Sequence, residues 1–281
     1  MCPARRQKPP RGPTPIDTED GGELHGVRLV LAYDGTDFCG FQRQNGQRTV
    51  QEELERAAAQ MAGHPVQVKA ASRTDSGVHA LGQVAAFDSR RDIPARGWML
   101  GLHAHLPDDV RVQSASACAA GYNPRFDSLG KRYRYMLQLG EAKNPLLRHR
   151  AWQLGHIRVD PGLMREAAQH LEGTHDFAAF RSADDEREST VRTLWSVGVL
   201  EGFAGDPSLL AIAVHGNAFM KNMVRILAGT LVAVGRGRLR PDHMLELLKP
   251  GADRAGAGDT APAHGLTLLE VELGRLALER A

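Results

Sequence analysis

The sequence is poor in the features that mark secreted, membrane-spanning and metal-binding proteins. Its three cysteines, Cys2, Cys39 and Cys118, are far apart and form no C-x-x-C pair, which argues against a structural zinc site and fits a reducing cytosol. No apolar run is long enough to cross a bilayer, and the opening MCPARRQKPPRGPTP lacks the apolar core of a signal peptide. We therefore expect a cytoplasmic protein without a membrane span. Residues 1–25, which are rich in proline, are expected to form a disordered tail.

Familiar cofactor motifs are missing as well. The sequence has no Walker A lysine, no G-x-S-x-G elbow and no H-E-x-x-H pair. The segment GAGDTA at residues 256–261 fits a loose G-x-G-x-x-A pattern of dinucleotide-binding proteins. No predicted strand precedes it and only 20 residues follow it, so a dinucleotide-binding unit does not fit there. The 12 histidines are scattered without metal-ligand spacing. The sequence therefore predicts neither a metal site nor a cofactor.

Positive charge is concentrated in two places, although the whole chain carries only +2. Residues 125–150 contain seven Arg or Lys and two Asp or Glu, and residues 216–241 contain five basic side chains and no acidic one. Two such segments indicate either a surface that binds a polyanion such as nucleic acid or ordinary solvated faces. Charge alone does not separate these interpretations.

Hydrophobic periodicities recur in the same order in both parts of the chain. The first part predicts a strand at 27–33, a helix at 49–61 with Thr49 and Glu52 as its capping box, strands at 66–71 and 83–87, a helix near 94–105 and a strand at 110–118. The second part predicts a strand at 131–139, a helix at 160–171 capped by Asp160, strands at 193–201 and 209–215, a helix at 218–235, a short helix behind Pro241 and a strand at 266–273.

Each part thus follows the order β-α-β-β-α-β, the split βαβ arrangement. The predicted fold class is α+β, with two ferredoxin-like halves whose antiparallel sheets join edge to edge around a central cleft. We expect an N-terminal half at residues 26–127 and a C-terminal half at residues 128–281.

The segment RTDSGVHA, which begins at Arg73, lies between two predicted strands and supports two interpretations. An aspartate there is most often a turn residue, and Gly77 fits that role. Alternatively, Asp75 is a nucleophile, which requires a neighbouring cation to keep the carboxylate ionised in a site that excludes water. Arg73 would share a face with Asp75 in an extended segment. Arg225, on an otherwise apolar helix, is a second candidate partner because an unpaired charge there would be costly.

Seven stretches of the sequence resemble the tRNA pseudouridine synthase A family, in the family's order and with similar spacing. They are YDGTDFCGFQRQ (33–44), TVQEELERA (49–57), RTDSGVHALGQV (73–84), PRFDSLGKRYRY (124–135), DFAAFR (176–181), NAFMKNMVR (217–225) and APAHGL (261–266). Together they extend over nearly all of the chain from residue 27 onwards.

The resemblance implies that the cleft between the two ferredoxin-like halves is basic. It also implies a homodimer without a cofactor, acting on uridine at positions 38 to 40 in the anticodon stem-loop of tRNA. It implies that Asp75 is the catalytic aspartate, Arg225 the arginine that pairs with it, Tyr133 the active-site tyrosine and Arg73 the arginine linked to base flipping. His79 is interpreted as a structural hydrogen-bonding residue. Four basic residues are expected to contact RNA phosphates: Arg125, Lys131, Arg132 and Lys221.

Two other functions stay open on the sequence. A related pseudouridine synthase that modifies another RNA would share the chemistry at Asp75, because the target is set by the surface. A non-catalytic RNA-binding protein built from two RRM-like modules would expose aromatic residues for base stacking. The low aromatic content, 5%, and the lack of an RNP1 pattern disfavour the second alternative.

The sequence departs from the family pattern in three places. Ser72 stands where the family commonly has glycine, so the backbone before Arg73 is expected to differ. Lys221 and Asn222 replace the usual Arg-His pair, which keeps the charge at one position and loses it at the other. The segment SADDEREST at residues 182–190 matches a tRNA-contacting region of the family, yet it is strongly acidic and would repel phosphates.

Overall fold

The computed structural model describes residues 23–185 and 187–274. The expected tail at residues 1–25 therefore lies almost wholly outside the described residues. The strands are β1 (His25–Tyr33), β2 (Lys69–Ala70), β3 (His79–Ser89), β4 (Val110–Cys118), β5 (Ser128–Gln138), β6 (Trp152–Gln153), β7 (Gly173–Asp176), β8 (Val191–Glu201), β9 (Leu209–Gly216) and β10 (Leu266–Leu273). The helices are α1 (Val50–Ala62), α2 (Ala95–His105), α3 (Pro124–Asp127), α4 (Pro161–Gln169), α5 (Met223–Gly235) and α6 (His243–Leu247).

The protein is a mixed α+β structure that divides into two compact units. Among the described residues, the first unit contains 23–129 and 268–274, and the second contains 130–267. The strands pair mostly antiparallel, and the short pairing of β6 with β5 is parallel. No helix of the described residues is long and apolar enough to cross a membrane.

In the first unit the strands follow the order β4-β1-β3-β10, and β2 pairs with β3. Strand β1 buries alternate residues, including Leu29 and Leu31, as its sequence pattern predicts. Helix α1 begins where Thr49 Oγ1 accepts a hydrogen bond from Glu52 N (3.3 Å), which confirms the predicted N-cap, and it ends at Gly63 with φ +75°.

Strand β2 is much shorter than the predicted strand at 66–71. Side chains of α1 form hydrogen bonds with both backbone groups of Val68. Glu55 Oε1 accepts from Val68 N (3.0 Å), and Gln51 Nε2 donates to Val68 O (3.1 Å). The hydrogen bonds that a sheet would use are taken there, so ladder pairing begins only at Lys69. The predicted length was wrong for this reason.

In the second unit β9 lies between β5 and β8, and β7 pairs with β8. Helix α4 begins at the predicted cap, where Asp160 Oδ1 accepts from Gly162 N (2.7 Å), and α6 follows Pro241 as expected. Helix α5 begins at Met223 rather than at residue 218. Asn222 has a left-handed backbone (φ +61°), which prevents the helix from extending towards residue 218.

The last strand differs from the sequence prediction in its location. We expected it within the half at 128–281, whereas residues 268–273 of β10 belong to the first unit, where β10 is hydrogen-bonded to β3. Gly274 N also donates to Asp127 O (2.8 Å) in that unit. The hydrophobic pattern of a strand does not indicate with which distant strand it pairs.

Candidate active site

The loop that carries Asp75 is fixed by the backbone on both sides of that residue. Asp75 O accepts from Val78 N (3.1 Å), so residues 75–78 form a turn, and Gly77 has φ +79° at the third position, where a type II turn requires a positive φ. Gly77 N and Ser76 Oγ both donate to Phe38 O, at 3.3 and 3.2 Å. Asp75 therefore occupies a rigid turn.

Close backbone packing holds the same loop against residues 35–41. Phe41 N donates to Thr74 O (3.1 Å). A Cβ atom at Gly40 would lie 2.8 Å from Thr74 O, and one at Gly35 would lie 2.0 Å from Val78 O. Both positions therefore require glycine. Sequence reasoning missed this role for the YDGTDFCGFQRQ segment, although two glycines in a buried, aromatic stretch were a usable signal.

A buried side-chain network lies behind the loop. Tyr33 Oη and Thr74 Oγ1 are 2.8 Å apart, and Gln83 Nε2 donates to Tyr33 Oη (3.3 Å) and to Ser72 O (2.8 Å). Gln83 Oε1 in turn accepts from Ser72 N (3.2 Å). Ser72 is held at both backbone atoms without a positive φ, so serine is compatible with this position.

Two residues flanking the turn behave differently. His79 is buried, and its Nδ1 accepts from Gly35 N (3.1 Å) and lies 3.1 Å from Asp34 Oδ1, which fits the expected structural role. Arg73 is exposed, Thr74 is buried and Asp75 is half-buried. Arg73 is therefore accessible from solvent, whereas Asp75 is partly covered.

In the second unit, the Arg225 guanidinium is oriented by two hydrogen bonds. Its Nε donates to Ala261 O (2.8 Å), and its Nη1 donates to Asn222 Oδ1 (2.7 Å). The backbone closes the same contact, because Ala261 N donates to Arg225 O (3.2 Å). The APAHGL segment thus holds both the side chain and the backbone of Arg225 through hydrogen bonds with Ala261.

Two titratable residues sense the Arg225 charge. Burial raises the pKa of Tyr135, which Arg225 lowers only in part, and the Tyr135 hydroxyl donates to Pro262 O (2.7 Å). Burial also lowers the pKa of His264; a backbone hydrogen bond with Ala151 opposes this, and the charges of His149 and Arg225 add to it. Burial therefore favours the neutral forms of Tyr135 and His264.

Tyr133 and its neighbours on β5 project to alternate faces. Tyr133 is buried, and its ring packs edge-on against Phe219 with centroids 5.0 Å apart. Lys131 is on the same face as Tyr133, whereas the exposed Arg132 is on the opposite face, paired in register with His215. The basic residues that the sequence grouped together are thus divided between two faces. Arg125, in α3, is exposed.

The described residues of the acidic loop, 182–185 and 187–190, pack on the pre-helix segment, residues 217–222. Asp184 Oδ2 pairs with Lys221 Nζ (2.5 Å), Asp185 Oδ2 accepts from Lys221 N (2.8 Å), and Arg187 Nη1 donates to Phe219 O (2.6 Å). Lys221, which the sequence assigned to RNA, is therefore bound to an aspartate of its own chain.

The same contacts set the charge of the acidic loop. The Lys221 ammonium and the Ser182 hydroxyl hold the pKa of Asp184 below its usual value. Burial alone would raise the pKa of Asp185, but hydrogen bonds from the backbone of Lys221 and Arg187 and the charges of Arg187 and Arg181 hold it below the usual value. Both carboxylates are therefore ionised at neutral pH, and part of their charge is neutralised within the chain.

The structure groups the candidate residues by unit. Arg73, Asp75 and Arg125 lie in the first unit, and the second contains Lys131, Arg132, Tyr133, Lys221 and Arg225. Within the described residues, no group of three or more His, Cys, Asp or Glu side chains is arranged to hold a metal ion.

An aspartate held on a rigid turn beside an exposed arginine is an arrangement suited to nucleophilic or acid–base chemistry on an anionic substrate. The family model described as tRNA pseudouridine synthase matches residues 29–127 and 167–272, and the chain belongs to this family.

Curated relatives match over almost their full length. The tRNA pseudouridine synthase A of Geobacter sulfurreducens is 45% identical over 87% of this chain and 98% of the relative, and that of Myxococcus xanthus is 44% identical over 87% and 91%. Among solved structures, a Cbf5-Nop10-Gar1 complex gives a TM-score of 0.33 at 11% identity, covering 89% of this chain and 60% of the other. This structural similarity is too low to support a functional conclusion.

Proposed function

We propose that the protein isomerises uridine to pseudouridine in tRNA, at positions 38 to 40 of the anticodon stem-loop. The observation that carries the proposal is the position of Asp75, which the resemblance assigns as the catalytic aspartate, on a turn whose backbone is fixed on both sides. The reaction breaks the N1–C1′ bond, turns the uracil and forms a C5–C1′ bond, while the proton from C5 is lost and N1 gains one. Electrons are conserved, so the reaction needs no external oxidant or reductant.

Asp75 is the proposed nucleophile. Its carboxylate either adds to C6 of the uracil and is eliminated after the C5–C1′ bond has formed, or acts as a base that removes the C2′ proton of the ribose to give a glycal and returns that proton when the C5–C1′ bond forms. Each route needs an ionised carboxylate in a desolvated site, and we assign Arg225 as the cation that maintains it. The hydrogen bonds from Arg225 to Ala261 and Asn222 support this assignment, because they orient the guanidinium in advance.

Tyr133 and Arg73 act on the target base. Tyr133 stacks on the uracil, and either Tyr133 or a water molecule removes the C5 proton after the new bond forms. The target nucleotide must leave the helical stack to be reached, and the exposed Arg73 fills the space or holds the displaced backbone.

Basic side chains on the surface bind the phosphates of the tRNA. Arg125, Lys131 and Lys221 supply salt-dependent affinity rather than sequence reading. Lys221 exchanges Asp184 for a phosphate when RNA binds. Arg132 contacts a different part of the RNA, because it projects to the opposite face of β5 from Lys131.

The finer architecture is also proposed. Each half is ferredoxin-like, a view supported in the first unit by the order β4-β1-β3-β2 and in the second by the antiparallel succession β5-β9-β8. Two such halves form a basic cleft, and two copies form a cytoplasmic homodimer.

Mapping pseudouridine in tRNA tests the proposal. Total tRNA from cells that lack the protein should lose pseudouridine at positions 38 to 40, and the wild-type gene should restore it. Loss in another RNA with intact anticodon arms would instead identify a pseudouridine synthase with a different target. Binding of tRNA without any change of uridine would favour the RRM-like alternative.

A further inference from the structure

Asn222 has an unusual conformation at the start of α5. Its backbone is left-handed (φ +61°), a region that asparagine and glycine adopt more readily than other residues. It occupies the N-cap position, yet its side chain makes no capping hydrogen bond to the helix. An asparagine at this position would ordinarily bond the backbone of the first turn.

The Asn222 amide instead joins the acidic loop to Arg225. A guanidinium can only donate, so the atom that faces Arg225 Nη1 at 2.7 Å is the amide oxygen, and the amide nitrogen faces Ser182 Oγ at 3.2 Å. Both donors and acceptors match without conflict. The orientation of Arg225 is therefore linked to Ser182.

Ser182 is itself fixed by the pre-helix segment. Ser182 N donates to Lys221 O (3.3 Å), and Asp185 of the same loop accepts from Lys221 N (2.8 Å). The acidic loop thus clamps both backbone atoms of the residue before Asn222. Movement of this loop would be transmitted through one amide to the guanidinium.

We propose that Asn222 is a positioning residue, whose amide oxygen holds Arg225 in its catalytic orientation and couples that orientation to the acidic loop. The inference rests on the proposed function of Arg225. It gives the acidic loop a role other than direct phosphate contact.

Three substitutions separate this role from ordinary stabilisation. Asn222→Gly removes the amide but tolerates the left-handed backbone, so we expect kcat to fall about 10- to 100-fold, as for loss of one hydrogen bond to a charged group, with KM changed less than about twofold. Asn222→Asp keeps an oxygen toward Arg225 and should retain kcat within about fivefold. Asn217→Asp is the matched control, because Asn217 Oδ1 accepts from Thr193 N (3.1 Å) in the same segment and an aspartate oxygen can replace it.

Wild-type kcat in Asn222→Gly, or an equal loss in Asn222→Gly and Asn222→Asp, would overturn the proposal. Hydrogen exchange of the Arg225 Nη1–H, which donates to the Asn222 amide oxygen, gives a readout that does not depend on activity when it is followed by ¹⁵N NMR at low temperature and assigned by its absence in Arg225→Lys. We expect faster exchange in Asn222→Gly only. If the wild-type protein formed no pseudouridine, the proposed function would fail, and this exchange rate would still decide the positioning role: unchanged exchange would overturn it.

Discussion

Tyr33 Oη and Thr74 Oγ1 lie 2.8 Å apart and join the end of β1 to the residue directly before Asp75. The bond is buried and lies behind the turn that presents the carboxylate. The position of the proposed nucleophile therefore depends on a strand that is 41 residues earlier in the sequence.

A double-mutant cycle on Tyr33→Phe and Thr74→Val measures this coupling. Each variant should lower the free energy of unfolding by about 1 kcal/mol and reduce kcat, because each removes the buried hydrogen bond between Tyr33 and Thr74. The double variant should lose less than the sum of the two. Urea denaturation and single-turnover kinetics provide the two measurements. Strict additivity in both would mean that the bond does not position the loop.

Two glycines with positive φ form a matched pair. Gly40 has φ +94° and its Cβ would collide with Thr74 O, whereas Gly46 has φ +70° and no atom within 4 Å of its Cβ. Gly40→Ala and Gly46→Ala share the backbone penalty of about 1 kcal/mol. Only Gly40→Ala should displace the Asp75 loop and lower kcat by at least about tenfold. Equal kcat values for the two variants would show that the loop tolerates the displacement.

Tyr133 and Tyr135 separate chemistry from stability. Tyr133→Phe should reduce kcat about 100-fold, because the hydroxyl takes part in removing the C5 proton. Tyr135→Phe should cost about 1–2 kcal/mol of stability, because it leaves Pro262 O without its donor, and should change kcat little. Thermal unfolding and rate measurements on both variants check this. A fully active Tyr133→Phe would assign proton removal to water.

His264 makes stability dependent on pH. Its pKa in the folded protein is lower than in the unfolded chain, so its contribution is complete above the ordinary value of 6.5 and is lost as pH falls below that value through the folded pKa. We expect the melting temperature to fall more between pH 7.5 and 5.5 in the wild type than in His264→Gln. His105→Gln, at an exposed residue, should follow the wild type. Identical pH profiles for wild type and His264→Gln would contradict the expectation.

Local signals in the sequence predicted the elements well, and distant contacts decided the rest. The caps at Thr49 and Asp160 are read from a few adjacent residues, and both are where the sequence predicts them. The short β2 and the late start of α5 depend on Gln51 and Glu55 side chains and on the backbone of Asn222, which hydrophobic periodicity does not record.

The candidate site shows the same division. Asp75, Arg73 and Tyr133 are recognisable from short motifs, whereas the scaffold of the Asp75 loop is not. Gly40 and Gln83 support that loop by contacts across 34 to 36 and 11 positions of sequence, respectively. The sequence of the acidic loop suggested repulsion of RNA phosphates. It did not reveal that Asp184 pairs with Lys221, which is 37 residues away.

The most direct test measures the reaction at Asp75. With tRNA carrying [5-³H]uridine, the wild-type protein should release tritium from the anticodon arm, and Asp75→Ala and Asp75→Asn should release less than about one thousandth as fast while binding tRNA within about threefold of wild type. Asp88→Asn is the control, because Asp88 Oδ1 only accepts from Gly121 N (2.9 Å) and an amide oxygen can replace it. Tritium release by folded Asp75→Ala at the wild-type rate would contradict the assignment of Asp75 as the nucleophile.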